Sequence, residues 1–124
     1  MIRKMLQAKL HNATLTRAIL DYEGSCGIDE VLLDLAGMIP DQFIDIYNVN
    51  NGERFSTYII KAPRGSGEIT LNGAAARRAC VGDRLIICAY SQYSEQELAK
   101  YQPRVILLDS LNKPKPHLAE ATNA

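Results

Sequence analysis

Residues 43–62 read FIDIYNVNNGERFSTYIIKA, and this stretch decides the fold class. Ahead of the Asn51-Gly52 pair, residues 43–49 are rich in β-branched and aromatic side chains. Behind it, residues 54–62 alternate, with Arg54, Ser56 and Tyr58 on one face and Phe55, Thr57 and Ile59 on the other. Asn-Gly suits a two-residue hairpin turn because both central positions need positive φ. A period of two does not fit a helix, so the segment is predicted to be a β-hairpin.

Upstream, Leu6, Ala8 and Leu10 alternate with Gln7, Lys9 and His11, which predicts a half-buried strand that Thr14 and Thr16 carry on toward Tyr22. Gly24, Ser25 and Gly27 then break the alternation. Asp29 is placed to cap a helix over residues 30–36, with Gly37 as its terminator. Pro40 and Asp41 mark a turn. Downstream, a Gly-rich loop (residues 63–67) leads to a short strand over 68–71, and Asn72-Gly73 turns into one or two helical turns over 74–79. An apolar strand follows over 84–90. Ser94 and Glu97 have the spacing of a capping box, opening a helix to about Tyr101 that Pro103 ends. Residues 104–109 read as the last strand. Residues 1–111 thus form a single domain, and 112–124 read as a flexible tail. Many short strands with small helices between them imply a mainly β barrel or a compact α+β domain.

The 124 residues suffice for one hydrophobic core. An apolar fraction of 47% and a charged fraction of 23% are those of a soluble globular protein. With 14 basic and 14 acidic residues the formal charge is zero, and no basic stripe stands out. Nucleic acid and membrane surfaces are therefore not expected as partners. Arg3, Lys4 and Lys9 have no continuous apolar segment behind them, so no secretory signal is read. Cys26, Cys80 and Cys88 lack metal-ligand spacing, and the expectation is reduced thiols in a cytoplasmic protein with no metal site.

Three blocks stand out: YEGSCGID at 22–29, NGERFSTY at 51–58 and NGAAA at 72–76. Together, in this order and spacing, they resemble the aspartate 1-decarboxylase family over almost the whole chain up to about Asp109. The resemblance implies a mainly β fold, a double-psi β-barrel with short flanking helices, and a homotetramer with active sites between neighbouring subunits. It also implies decarboxylation of L-aspartate to β-alanine and carbon dioxide for pantothenate synthesis. The cofactor it implies is a covalent pyruvoyl group made from Ser25, with no pyridoxal phosphate and no metal. Four positions depart from the family's pattern: Tyr47 where several relatives have tryptophan, Gly27 where alanine is common, and Arg77-Arg78 where others are less charged.

Gly24-Ser25 alone is an ordinary turn dipeptide, and the chain has another at Gly65-Ser66. In the family's setting, Ser25 Oγ attacks the Gly24 carbonyl and converts the amide to an ester. Elimination leaves a dehydroalanine, and hydrolysis releases ammonia and a pyruvoyl group at residue 25. Gly24 has no Cβ to shield its carbonyl, and the resemblance gives Thr57 a place near this bond, where a donor stabilises the oxyanion. The pyruvoyl ketone forms a Schiff base with the substrate amine and accepts the electrons released with carbon dioxide. Tyr58 is the implied proton donor. Arg54, on the same strand face, offers a bidentate fork for a carboxylate. Lys9 is a second cation, and His11 shares its face. Asn72 and the backbone of Gly73, Ala74 and Ala75 form a turn whose amides can hold an anion. Two other readings remain: a pyruvoyl-dependent decarboxylase of another small amino acid, and a non-cleaving barrel that binds a ligand or protein. The sequence is silent on a maturation factor.

Overall fold

The two predicted strands pair as a hairpin, and the rest of the chain is built around it. Residues 49–53 connect the two strands and only Gly52 among them takes positive φ, so the turn is longer than the two-residue one read from Asn51-Gly52. In the computed structural model, which describes residues 1–115, the strands are β1 (Ile2–Thr14), β2 (Arg17–Ile19), β3 (Ser25–Asp29), β4 (Phe43–Asn48), β5 (Arg54–Ala62), β6 (Ile69–Asn72), β7 (Arg84–Ser94) and β8 (Arg104–Leu107). Helix α1 (Glu30–Ala36), helix α2 (Glu95–Leu98) and a 3-10 turn (Gly73–Arg78) lie between them. The eight strands make one mixed sheet in the order β2-β6-β3-β5-β4-β7-β1-β8. β1 runs parallel to β8, β2 to β6 and β3 to β5, and the other neighbours are antiparallel. This mainly β architecture with short flanking helices agrees with the double-psi β-barrel that the resemblance implies.

One buried cluster runs through the described residues. Alternation supplies it: Leu10, Ile44, Ile46, Ile59, Leu85 and Ile87 point inward and are fully buried. Helix α1 starts and stops on the predicted signals. Asp29 Oδ1 accepts the Val31 N–H at 2.9 Å, and Gly37 closes the helix at φ 70°.

Four further expectations change. The segment read as a break at Gly24, Ser25 and Gly27 contains β3, every residue of which is buried. β3 lies between parallel β5 and antiparallel β6 with both faces covered, so it has no polar face to advertise a period of two. β7 runs to Ser94 rather than Tyr90, because its polar end pairs with the start of β1 (Ile2 with Ser94) in an exposed two-stranded arm. α2 stops at Leu98, and the N–H groups of Ala99, Lys100 and Tyr101 bond three residues back. The supposed tail does not begin at Asn112: the backbone of Leu108 bridges to Pro114, and Asn112 is buried. Residues 116–124 of that tail lie outside the described residues.

Asn112 shows why. Its Nδ2 donates to Thr14 O at 2.9 Å and to Gly67 O at 2.8 Å, and its Oδ1 accepts from Thr14 N at 2.7 Å. It thereby satisfies the end of β1 and the loop before β6 at once. Asn112→Ala strands these buried groups and places a Cβ-bearing residue without a local polar side chain at φ 60°. The expected loss of unfolding free energy is about 2–4 kcal/mol, read from urea titrations at fixed protein concentration. A loss below about 0.5 kcal/mol, the scale of ordinary surface changes, contradicts the anchoring role.

Candidate active site

The buried β3–β6 ladder sets the position of Ser25. Ser25 pairs with Asn72, and the Asn72 side-chain N–H donates to Ser25 Oγ at 2.9 Å, with both residues almost wholly enclosed. The Ser25 hydroxyl has a second, long contact of 3.4 Å to the carbonyl of Glu23. Neither partner is a titratable base. Asn72 therefore orients the Oγ lone pairs without removing its proton.

Gly73 brings the segment ahead of Ser25 close. It adopts φ +66°, and a Cβ there would lie 2.7 Å from Tyr22 O, 2.8 Å from Gly24 N and 2.9 Å from Gly24 Cα. The 22–24 backbone packs directly on a position that only glycine fills without displacement. On the open side, Gly24 faces a cavity of about 250 Å³ that Thr57, Ala74, Ala75 and Arg78 also line. Among the described residues, the Thr57 hydroxyl has no hydrogen-bond partner, which leaves it free to donate to a group at Gly24.

β5 supplies the next residues. Its parallel register with β3 pairs Cys26 with Ile59, so one step earlier Ser25 runs alongside Tyr58 on a shared face. Tyr58 is 38% exposed beside Phe43 of β4. Six of the predicted residues (Gly24, Ser25, Thr57, Tyr58, Asn72, Gly73) are thus gathered around the neighbouring strands β6, β3 and β5, with Ala74 and Ala75 in the 3-10 turn beside them.

Lys9 and His11 are not part of that cluster. They sit on the outer face of β1, which β7 and β4 separate from β5. Strand spacing of about 4.8 Å puts β1 roughly 14 Å from β5 across the sheet. Burial first, then the charge of Lys9, hold the His11 pKa below its ordinary value, so the ring is neutral at neutral pH. His11 Nδ1 is buried and has no hydrogen-bond partner among the described residues.

Arg54 lies between the two groups. Its guanidinium carbon is 3.9 Å from the centre of the Tyr47 ring, its partner across the β4–β5 ladder. Tyr47 Oη is in turn 2.8 Å from Tyr90 Oη. Arg64 is paired with Asp34 and Arg78 with Glu53, whereas Arg54 has no acidic partner among the described residues. Its fork is therefore available. Sequence reasoning missed Tyr90 and Arg78 at these sites. Alternation along β7 puts Ile86, Cys88 and Tyr90 on one face, but nothing local says that Tyr47 meets Tyr90 across the strands.

A family model described as aspartate decarboxylase matches residues 1–115. The chain belongs to the aspartate decarboxylase family. Curated relatives named aspartate 1-decarboxylase cover nearly all of it. The Ralstonia pickettii (strain 12J) protein is 68% identical over 115 residues, 93% of this chain and 96% of its own. Those of Cupriavidus necator and Bordetella pertussis are each 64% identical, the first over 90% of this chain and 93% of its own length, the second over 93% and 94%. A rationally designed protein, mkDPBB_sym_86, is similar at a TM-score of 0.47 and 14% identity over 64% of this chain and 91% of its own.

Within this family member, one departure has a direct packing reason. A Cβ on Gly27 would collide with Thr70 Oγ1, so glycine at 27 and threonine at 70 are matched. Among the described residues, no cluster of three or more His, Cys, Asp or Glu side chains could hold a metal ion, and no helix is long and apolar enough to cross a membrane.

Gly73→Ala tests the packing against Gly24. The left-handed conformation costs a non-glycine residue about 1–2 kcal/mol, and the backbone overlap adds to it. Unfolding free energy should fall by about 2–4 kcal/mol, and amide exchange at residues 22–26 should speed up. Parent-like exchange in that segment would show that the contact does not hold it.

Proposed function

We propose that the chain cleaves itself between Gly24 and Ser25 and uses the resulting group on residue 25 to decarboxylate L-aspartate to β-alanine. The observation that carries this reading is the enclosed Ser25 hydroxyl, held by Asn72 beside a Gly24 segment pressed onto Gly73. Ser25 Oγ attacks the Gly24 carbonyl carbon, the C–N bond breaks, and the Ser25 nitrogen is left as a free amine. The Thr57 hydroxyl stabilises the oxyanion that forms on the way. Loss of the Oγ ester as the Gly24 carboxylate, then hydrolysis with release of ammonia, leaves a pyruvoyl group.

The residues fit such a group. Asn72 donates into the position of Ser25 Oγ, and the Cβ-less Gly73 lets the backbone of residues 22–24 pack closely ahead of it. When present, a pyruvoyl ketone supplies an electron sink for the pair released with carbon dioxide. Arg54 takes the side-chain carboxylate in a bidentate fork. Tyr58, alongside residue 25, delivers a proton to the carbon that loses carboxylate. The product serves pantothenate synthesis, and the protein works in the cytoplasm with three unpaired thiols.

A homotetramer with active sites between subunits is part of the proposal. Lys9 and His11 lie across the sheet from Ser25, so a neighbouring copy is the simpler route for them to reach it. Phe43, 62% exposed next to Tyr58, gives that neighbour an apolar surface to cover.

Intact mass is the primary test. Two chains, 1–24 and 25–124, are expected, the second lighter by one ammonia than plain hydrolysis would leave it, because the amine of residue 25 is released when the pyruvoyl group forms. Ser25→Ala should stay whole, folded and inactive. A parent protein that remains whole after prolonged warm incubation, with or without cell extract, refutes self-processing.

Tyr58→Phe separates the two stages. The variant keeps the ring and should cleave normally, while turnover falls by about 10²–10⁴-fold, the usual contribution of a positioned acid. Parent-like β-alanine formation by the processed variant would assign the proton to another group.

A further inference from the structure

The outer face of β4, β5 and β7 carries a chain of contacts that the catalytic reading leaves unused. The Arg54 guanidinium lies over the Tyr47 ring at 3.9 Å, and the Tyr47 hydroxyl meets that of Tyr90 at 2.8 Å. Tyr47 is half-buried, Tyr90 is half-buried, and Arg54 is exposed. An exposed arginine on a strand normally samples many rotamers. Here its resting place is an aromatic face, and that face is tethered at its far end.

We propose that Tyr90 is a positioning residue for substrate recognition: its hydroxyl, bonded to Tyr47, fixes the ring on which Arg54 lies and so aims the guanidinium at the side-chain carboxylate of the substrate. The proposal rests on the reading of Arg54 as the carboxylate clamp.

Three features support it. First, a tyrosine ring attached only at Cβ can swing about χ1, and a hydrogen bond at the opposite end removes that freedom. Second, the Tyr90 hydroxyl bonds Tyr47 and is partly buried, and these two causes, in that order, raise its pKa above the ordinary phenol value. It stays protonated at neutral pH and can act as a donor throughout. Third, the surroundings hold Tyr90 itself. The Lys4 ammonium lies 5.9 Å from the centre of its ring, and Cys88, two residues earlier on the same face of β7, is a thiol pushed up by burial. Among the described residues, Lys4 stands by Tyr90, Arg54 by Tyr47, and Lys9 and Asp45 sit on the neighbouring strands beside Cys88, three cations to one acid.

The geometry also explains how the chain accommodates tyrosine at position 47. A phenol is polar at its tip, and a tip facing an apolar neighbour would go unsatisfied. Tyr90 supplies the partner. Neither hydroxyl touches the reacting centre, so the pair acts on where Arg54 sits and not on the chemistry.

The test uses the fully processed enzyme and measures steady-state kinetics on aspartate. Tyr90→Phe keeps the ring and loses the bond. KM for aspartate should rise by about five- to tenfold with kcat within about twofold, since a lost neutral hydrogen bond has that scale. Tyr47→Phe deletes the same bond from the other side and should match it, and the double variant should be no worse than either single one. Should Tyr90→Phe fail to fold, Tyr47→Phe carries the test alone. Arg54→Ala serves as the reference and should raise KM more than either. If Arg54→Ala raises KM while Tyr90→Phe and Tyr47→Phe leave it at the parent value, the clamp stands and the positioning role is overturned. An unchanged KM in Arg54→Ala removes the clamp and the proposal with it. Additive losses in the double variant, or equal falls in kcat and cleavage, would make the tyrosines ordinary packing residues and also overturn it.

Discussion

Ser25 and Asn72 face each other in the β3–β6 ladder, and their side chains meet at 2.9 Å inside the protein. Both are polar, both are buried, and each answers the other. Everything at the site depends on that arrangement. β3 has parallel β5 on one side and antiparallel β6 on the other, so Ser25 cannot shift along the strand without breaking two ladders. A one-residue slip would also exchange its faces and drive Cys26 out of the core. The hydroxyl is consequently held at a fixed place relative to Gly24, Thr57 and Tyr58.

Buried polar hubs hold the loops that surround this ladder. Asp29 accepts backbone N–H groups from Val31, Gly65 and Gly67, tying the start of α1 to the loop before β6. Burial alone would raise its pKa, but these three backbone donors and Lys113 outweigh it, and the carboxyl titrates below its ordinary value. Asn48 does the same for the far end of the hairpin, donating to Arg78 O and Asp83 Oδ2 while its Oδ1 accepts from Asn50 N. Asn112 closes the ring by joining β1 to Gly67. Each hub satisfies several backbone groups in loops that have no ladder of their own. The 3-10 turn that lines the Gly24 cavity is reached through one of them, at Arg78.

The remaining candidate side chains lie on the outer face of the sheet, where Arg54 rests on Tyr47 and Lys9 and His11 stand across β4 and β7. The enclosed cluster suits cleavage, which needs an oriented hydroxyl and a constrained backbone. The outer face suits recognition of an anion, which needs accessible cations and an aromatic support. Arg54 bridges them because β5 carries both: Thr57 lines the cavity at Gly24, and on the other face Arg54 is followed by Tyr58, alongside which Ser25 runs.

The sequence by itself determined the hairpin, the α1 caps, the capping box at Ser94 and, through its three motif blocks, the residues gathered around Ser25. These signals are local: a turn needs positive φ at Gly52, a helix start needs an acceptor at Asp29, and a half-buried strand alternates. Only the tertiary structure decided that Ser25–Asp29 is a strand, since a segment covered on both faces loses its period. The same holds for Asn112, where the partners are 98 residues away at Thr14 and 45 away at Gly67. It holds too for Tyr90, whose contact with Tyr47 spans 43 positions. Alternation says which way a side chain points. It does not say which strand stands opposite, because pairing is settled by the whole sheet closing over one core.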